Sequence, residues 1–160
     1  VCENKKCSTL KATLYRDGKK AATIVDHANG DPLEIVFVND FERDELEAHV
    51  LATPGKVFED EDETLPLPLS GRIEVFIDNL VTRTTEINNL FRKSRRAIYF
   101  IHEGKILSKK GTPPTEENIA LFRKKNRVAP ILSEAKTVAE LEEMLDYYYL
   151  RGYLSSITKF

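Results

Sequence analysis

The sequence predicts an α+β protein: an N-terminal three-stranded antiparallel meander with a covering helix, followed by a long helix, a short hairpin and two further helices. Three observations predict it. Residues 8–39 alternate short apolar segments with the dipeptides Asp17-Gly18 and Asn29-Gly30, which tolerate the positive φ of a hairpin corner. From Ile73 to Phe91 the apolar residues recur every three or four positions. Thr115 and Thr137 each stand immediately before a run with helical spacing, where a hydroxyl can accept a hydrogen bond from an unpaired first-turn amide.

The elements follow in order. TLKATLY, KAATIVD and LEIVFVN are three strands of a meander, joined by RDGK and HANGDP. Asn39 with Glu42 three residues on has the form of a helix cap, and Phe41, Leu46, Val50 and Leu51 supply a partial apolar stripe through FERDELEAHVLA, ending before Pro54-Gly55. Residues 57–69 combine the acidic run Glu59, Asp60, Glu61, Asp62, Glu63 with Pro66 and Pro68, which block both helix and central strand.

Residues 70–96 carry two conflicting patterns. Ile73, Val75 and Ile77 alternate as in a strand, but Ile73, Phe76, Ile77, Leu80, Thr84, Ile87, Leu90 and Phe91 keep a helical spacing for more than five turns. The longer pattern predicts one helix, with Thr82–Thr85 as the place where it would break. AIYFIH and KIL flank Glu103-Gly104 as a short hairpin. Thr112-Pro113-Pro114-Thr115 opens the helix ENIALFRKKN, VAPIL has the composition of a short strand, and Thr137 with Glu140 boxes the start of VAELEEMLDYYYL. The expected organisation is a β-meander plus helix over residues 1–56, an acidic, Pro-rich linker or loop over 57–69, and a helix-rich part over 70–160 packed with the first as one globular unit.

Composition excludes several classes of function. With 160 residues, 41% apolar and 31% charged, and a net charge of −2, the chain is long enough to bury its own core and too apolar for wholesale disorder. No apolar run approaches the roughly 20 residues of a membrane span, so no membrane partner is expected. The N-terminal VCENKKCSTLK has no apolar signal segment, and the cytoplasm is the simplest compartment. Cys2 and Cys7 supply two of the four ligands a zinc site needs; the other two would have to come from His27, His49 or carboxylates at unrelated spacing, so free thiols and no metal are expected, with a Cys2–Cys7 disulfide as the alternative.

The near-neutral total hides an asymmetry. Residues 1–80 hold 9 Lys and Arg against 17 Asp and Glu, whereas residues 81–160 hold 15 against 9. The basic excess is concentrated in Arg92, Lys93, Arg95 and Arg96, in Lys109 and Lys110, and in Arg123, Lys124, Lys125 and Arg127. Cations in a last helical turn complement the helix dipole, which gives the two helical clusters a structural reason. The same residues, if they converge on one face, make a nucleic-acid-binding surface. The acidic run 59–63 is a candidate partner-binding segment: it can dock on a host protein or a second copy, or cover the protein's own basic face.

Catalytic templates are scarce. No G-x-S-x-G, P-loop, dinucleotide fingerprint or H-E-x-x-H occurs, and no cofactor is implied. His102 beside Glu103 is the least ordinary of the three histidines, and Asp78, Glu86 and Glu103 with Lys105 could be drawn together as a metal-dependent nuclease or hydrolase. Tyr147, Tyr148 and Tyr149 could stack bases, although in an amphipathic helix they divide between core and rim.

KATLYRDGKK (11–20), the following turn rich in Asn and Gly, the acidic FERDELE (41–47), LPLPL (65–69) and IEVFIDNLV (73–81) together resemble, in that order, small uncharacterised proteins carried by bacteriophages and other mobile genetic elements. What the resemblance implies is a non-enzymatic accessory protein of such an element, acting by binding. That family has no known chemistry, so the resemblance assigns no catalytic residue. The readings that remain are binding to nucleic acid through the basic face, binding to protein through the acidic segment, and a metal-dependent hydrolase.

Overall fold

The computed structural model describes residues 10–27, 31–53, 67–126, 129–152 and 154. The chain is α+β, and it divides into two compact units, Val1–Val81 and Thr82–Phe160. Cys2, Cys7, Asn29-Gly30, the acidic segment Glu59–Glu63 and Arg127 lie outside the described residues.

The first unit opens with β1 (Leu10–Arg16), β2 (Lys19–Asp26) and β3 (Glu34–Phe37) in an antiparallel sheet of order β1-β2-β3. Asp17 and Gly18 turn the first corner at φ 50° and 75°. Gly adopts that conformation without penalty, and Asp is among the few other residues that tolerate it. The register Leu14↔Ala22 changes to Tyr15↔Lys20 and Arg16↔Lys19, so β2 carries one extra residue there. Such a bulge interrupts the strict alternation of faces. Both Ala21 and Ala22 are buried, and small side chains let both fit.

Helix α1 (Asp40–Ala52) starts at Asn39, whose side chain accepts from the Glu42 amide at 2.9 Å. The expected stripe divides. Leu46 and Val50 are buried, while Phe41 and Leu51 are exposed. Leu46, Val50, Ile24 and Ile77 form the core of this unit, with Ala12, Leu14, Ile35 and Phe37 of the sheet packed around them.

Helix α2 (Leu69–Ser94) is continuous through Thr82–Thr85. The helical period therefore prevails over the local alternation at Ile73, Val75 and Ile77. Its first half contributes Ile73, Phe76 and Ile77 to the first unit, and its second half contributes Ile87 and Leu90 to the second.

In the second unit β4 (Ile98–His102) and β5 (Lys105–Lys109) form the expected hairpin, with Glu103 and Gly104 at φ 49° and 75°. Alternation along β4 serves two cores. Ile98 and Phe100 pack with Phe122 of α3 (Glu116–Lys125), the Phe100 and Phe122 ring centres 4.7 Å apart. Tyr99 and Ile101 face Ile87 and Leu90 of α2 and Leu141 and Leu145 of α4 (Val138–Leu150). The hairpin thus lies between α3 on one face and α2 with α4 on the other.

Among the described residues of the VAPIL segment, Ile131 makes a single bridge, to Phe100, before a 3₁₀ turn over Leu132–Glu134. That segment lies along the side of β4 away from β5. Pro130 accepts from the Ile101 amide at 2.9 Å, and the buried Ser133 hydroxyl accepts from the Tyr99 amide at 2.7 Å and donates to the Ala97 carbonyl at 2.9 Å. A serine side chain replaces the next rung of a strand ladder, so the polar edge of β4 is satisfied without a third strand. Among the described residues no helix is long and apolar enough to cross a membrane.

Candidate functional site

The second unit carries 15 Lys and Arg against 9 Asp and Glu, and the first carries 9 against 17, so the charge asymmetry divides where the compact units do. Three local structures place the cations. Arg92, Lys93, Arg95 and Arg96 end α2 and lead into β4. Lys109 ends β5 directly opposite Ile98, and the Ile98 amide bonds to the Thr112 carbonyl at 3.1 Å. The hairpin register therefore brings Lys109 and Lys110 to the end at which α2 enters. Arg123, Lys124 and Lys125 form the last turn of α3, which is held against β4 through Phe122.

The two helical clusters meet at the 3₁₀ turn. Arg95 Nη1 donates to the Ala135 carbonyl at 3.4 Å, with its guanidinium 5.7 Å from the Phe91 ring centre. Arg123 Nη2 donates to Glu134 Oε2 at 2.5 Å. These contacts fall on consecutive residues, so the C-terminal ends of α2 and α3 are tied to one short segment. Arg92 bonds to Asn89 within its own helix. Lys93, Arg96, Lys109, Lys110, Lys124 and Lys125 are exposed and form no ion pair among the described residues. Of the ten cations singled out in sequence, nine are described, and six of those face solvent with neither a side-chain hydrogen bond nor an ion pair among the described residues.

Beside this edge lies a groove of about 470 Å³ lined in part by Glu134, Ala135, Glu143, Met144, Tyr147 and Tyr148. Tyr148 packs on the core, whereas Tyr147 and Tyr149 are 49% and 46% exposed. Arg151 lies over the Tyr147 ring, 4.6 Å from its centre. No spacing or composition signal announces the groove or its junction with the basic edge through Glu134 and Ala135. Only the fold joins residues 95, 123, 134–135 and 147.

Chain comparisons add no relative. No protein-family model, curated protein or solved structure matches the chain.

The residues of the hydrolase reading fall on helix α2 and on the β4–β5 hairpin. His102 and Glu103 sit at the hairpin tip, 3.7 Å apart and exposed, with Lys105 at the start of β5. Asp78 belongs to the first unit and Glu86 to the second. Glu86 Oε2 and Arg83 Nε are buried with no hydrogen-bond partner among the described residues, while Arg83 Nη2 bonds to both oxygens of Asp146 at 2.8 and 3.0 Å. Among the described residues no group of three or more His, Cys, Asp or Glu is placed to hold a metal ion.

The first unit has its own groove, about 280 Å³, with Leu14, Leu46, Phe76 and Leu80 among its walls. At its rim Arg16 forms a bidentate pair with Glu42, 2.8 and 2.9 Å, and stacks on the exposed Phe41 at 5.1 Å. The Arg16 hydrogen bond holds the Glu42 carboxyl below its ordinary value, and Glu42 in turn raises the Arg16 guanidinium. The bulge supports this pair, since it sets Lys19 opposite Arg16, and the Lys19 charge also lowers Glu42. Sequence spacing pointed to the cap that the Glu42 amide completes with Asn39, but not to the commitment of the Glu42 carboxylate to Arg16 on another element.

Proposed function

We propose that this protein acts by binding nucleic acid, with the basic edge of the second unit tracking the phosphate backbone. The observation that carries the reading is the convergence of the α2 and α3 clusters on Glu134 and Ala135, with Lys109 and Lys110 brought alongside by the hairpin register. Helix-end cations that served only the helix dipole would have no need to meet. Arg95 and Arg123 are spent in part on holding the fold, and the free cations around them supply the field. Phosphate contacts release condensed counterions, so binding of this kind weakens steeply with salt.

The test is fluorescence anisotropy of labelled DNA and RNA at about 50 and 200 mM salt, where 6 to 10 phosphate contacts cost roughly 10³ to 10⁵ in affinity. Reversing Arg96, Lys109, Lys124 and Lys125 to Glu removes cations with no packing role and should abolish binding with the circular dichroism spectrum unchanged. Binding insensitive to salt, or a quadruple variant that binds as the parent does, overturns the proposal.

A further inference from the structure

We infer that the nucleic acid taken is single-stranded, and that one unpaired base, guanine by preference, enters the groove of Met144, Tyr147 and Tyr148 while its flanking phosphates lie on the basic edge. This rests on the backbone-binding reading above and adds to it the class of strand and the base.

The groove and the basic edge share residues. Glu134 and Ala135 line the one and receive Arg123 and Arg95 of the other. A strand held along the edge therefore passes the mouth of the groove within a nucleotide or two. What can enter is decided by the lining. A phosphate would meet the carboxylates of Glu134 and Glu143 and be repelled. A base would meet an aromatic face and a polarisable thioether, Tyr147 and Met144, on which any nucleobase can stack.

A duplex keeps its base faces stacked on one another and offers only phosphates and groove edges to such a surface. A single strand can turn a base inward. The Tyr147 ring is half exposed and the Arg151 guanidinium lies over it, 4.6 Å from its centre, so a base stacks there by taking the guanidinium's place and the displaced cation meets a neighbouring phosphate.

The carboxylates then choose among bases. Glu140 is engaged with the Lys136 amide at 2.7 Å and Glu134 with Arg123, which leaves Glu143 as the acceptor without an ion-pair partner among the described residues. A carboxylate binds best to an edge with two adjacent N–H donors. Guanine alone among the common bases has that edge, in its N1–H and exocyclic amine, whereas thymine and uracil set one N–H between two carbonyls.

The experiment uses labelled oligothymidylates of about 12 nucleotides, one carrying a single central dG and one all dT, with the dG strand also annealed to its complement. Anisotropy is read at low salt for the parent, Tyr147→Ala, Tyr147→Phe and Glu143→Gln. The dG strand should bind more tightly than the dT strand and the duplex. Tyr147→Ala should weaken single-strand binding roughly 5- to 150-fold, the range for loss of one stacked base, and Tyr147→Phe should restore it. Glu143→Gln should erase the dG preference while dT binding persists. Equal affinity for duplex and single strands, or a Tyr147→Ala protein that binds as the parent does, overturns the single-strand inference and leaves backbone binding standing. Equal affinity for the dG and dT strands overturns the guanine preference. If none of the three binds at low salt, the backbone reading itself fails.

Discussion

Ser133→Ala probes how the second unit closes the edge of its hairpin. The Ser133 hydroxyl is buried, 4% exposed, and serves two backbone groups at once: it accepts from the Tyr99 amide and donates to the Ala97 carbonyl. Truncation to Ala leaves the packing almost unchanged and removes both partners. A buried backbone group left without a partner costs about 1–3 kcal/mol. Two such groups set the expected loss at about 2–6 kcal/mol, a large share of the 5–15 kcal/mol typical of a folded domain. With a urea dependence of about 2 kcal/mol per molar, the unfolding midpoint should fall by about 1–3 M. Native-state hydrogen exchange gives the local readout, since the Tyr99 amide should lose protection before its neighbours on the β5 side of the strand. A change below about 0.5 kcal/mol, the range of ordinary surface substitutions, with Tyr99 protection intact, would refute the account of Ser133 as the missing rung.

Two further outcomes follow from packing and charge. Leu145 is fully buried between α4 and the hairpin, so Leu145→Ala should cost about 2–5 kcal/mol by urea unfolding, whereas Leu150→Ala, five residues on and 83% exposed, should lie within about 0.5 kcal/mol of the parent. Glu42→Gln should destabilise the first unit in a pH-dependent way. The folded-state value of Glu42 is lowered from 4.5, so the pair's contribution is fully present above that ordinary value and is lost as pH falls through the lowered one. The stability gap between parent and variant should accordingly be widest near neutral pH and close in acid; a gap that stays constant with pH would show that Arg16 is not its source.

The proposed binding edge and the charge asymmetry belong to the same unit. Its net positive charge raises the local concentration of a polyanion before any specific contact forms. On the proposed reading the groove adds selection among polyanions, because its own carboxylates would reject phosphate and leave stacking as the way in. A protein built this way would bind many strands weakly by charge and fewer strands well by shape.

Local chemistry determined much of the fold directly from sequence. Asp17-Gly18 and Glu103-Gly104 turn hairpins because few residues accept positive φ, Asn39, Thr115 and Thr137 cap helices because first-turn amides need acceptors, and the period from Ile73 to Phe91 produced α2. Each of these signals operates within a few residues or along one helix face. The cations were also legible, since charge is read from composition alone. Their meeting was not. Whether Arg95 and Arg123 reach the same turn depends on the β4 register, on Phe122 packing against Phe100, and on Ser133 fastening residues 130–135 along β4. The last two are contacts between residues 22 to 36 positions apart, and no periodicity carries them. Glu42 teaches the same lesson: its spacing from Asn39 announced the cap its amide completes, but not the guanidinium 26 residues away that gives its carboxylate two charge-assisted hydrogen bonds. Sequence set the elements and the sign of each surface, and tertiary packing alone decided which side chains share one.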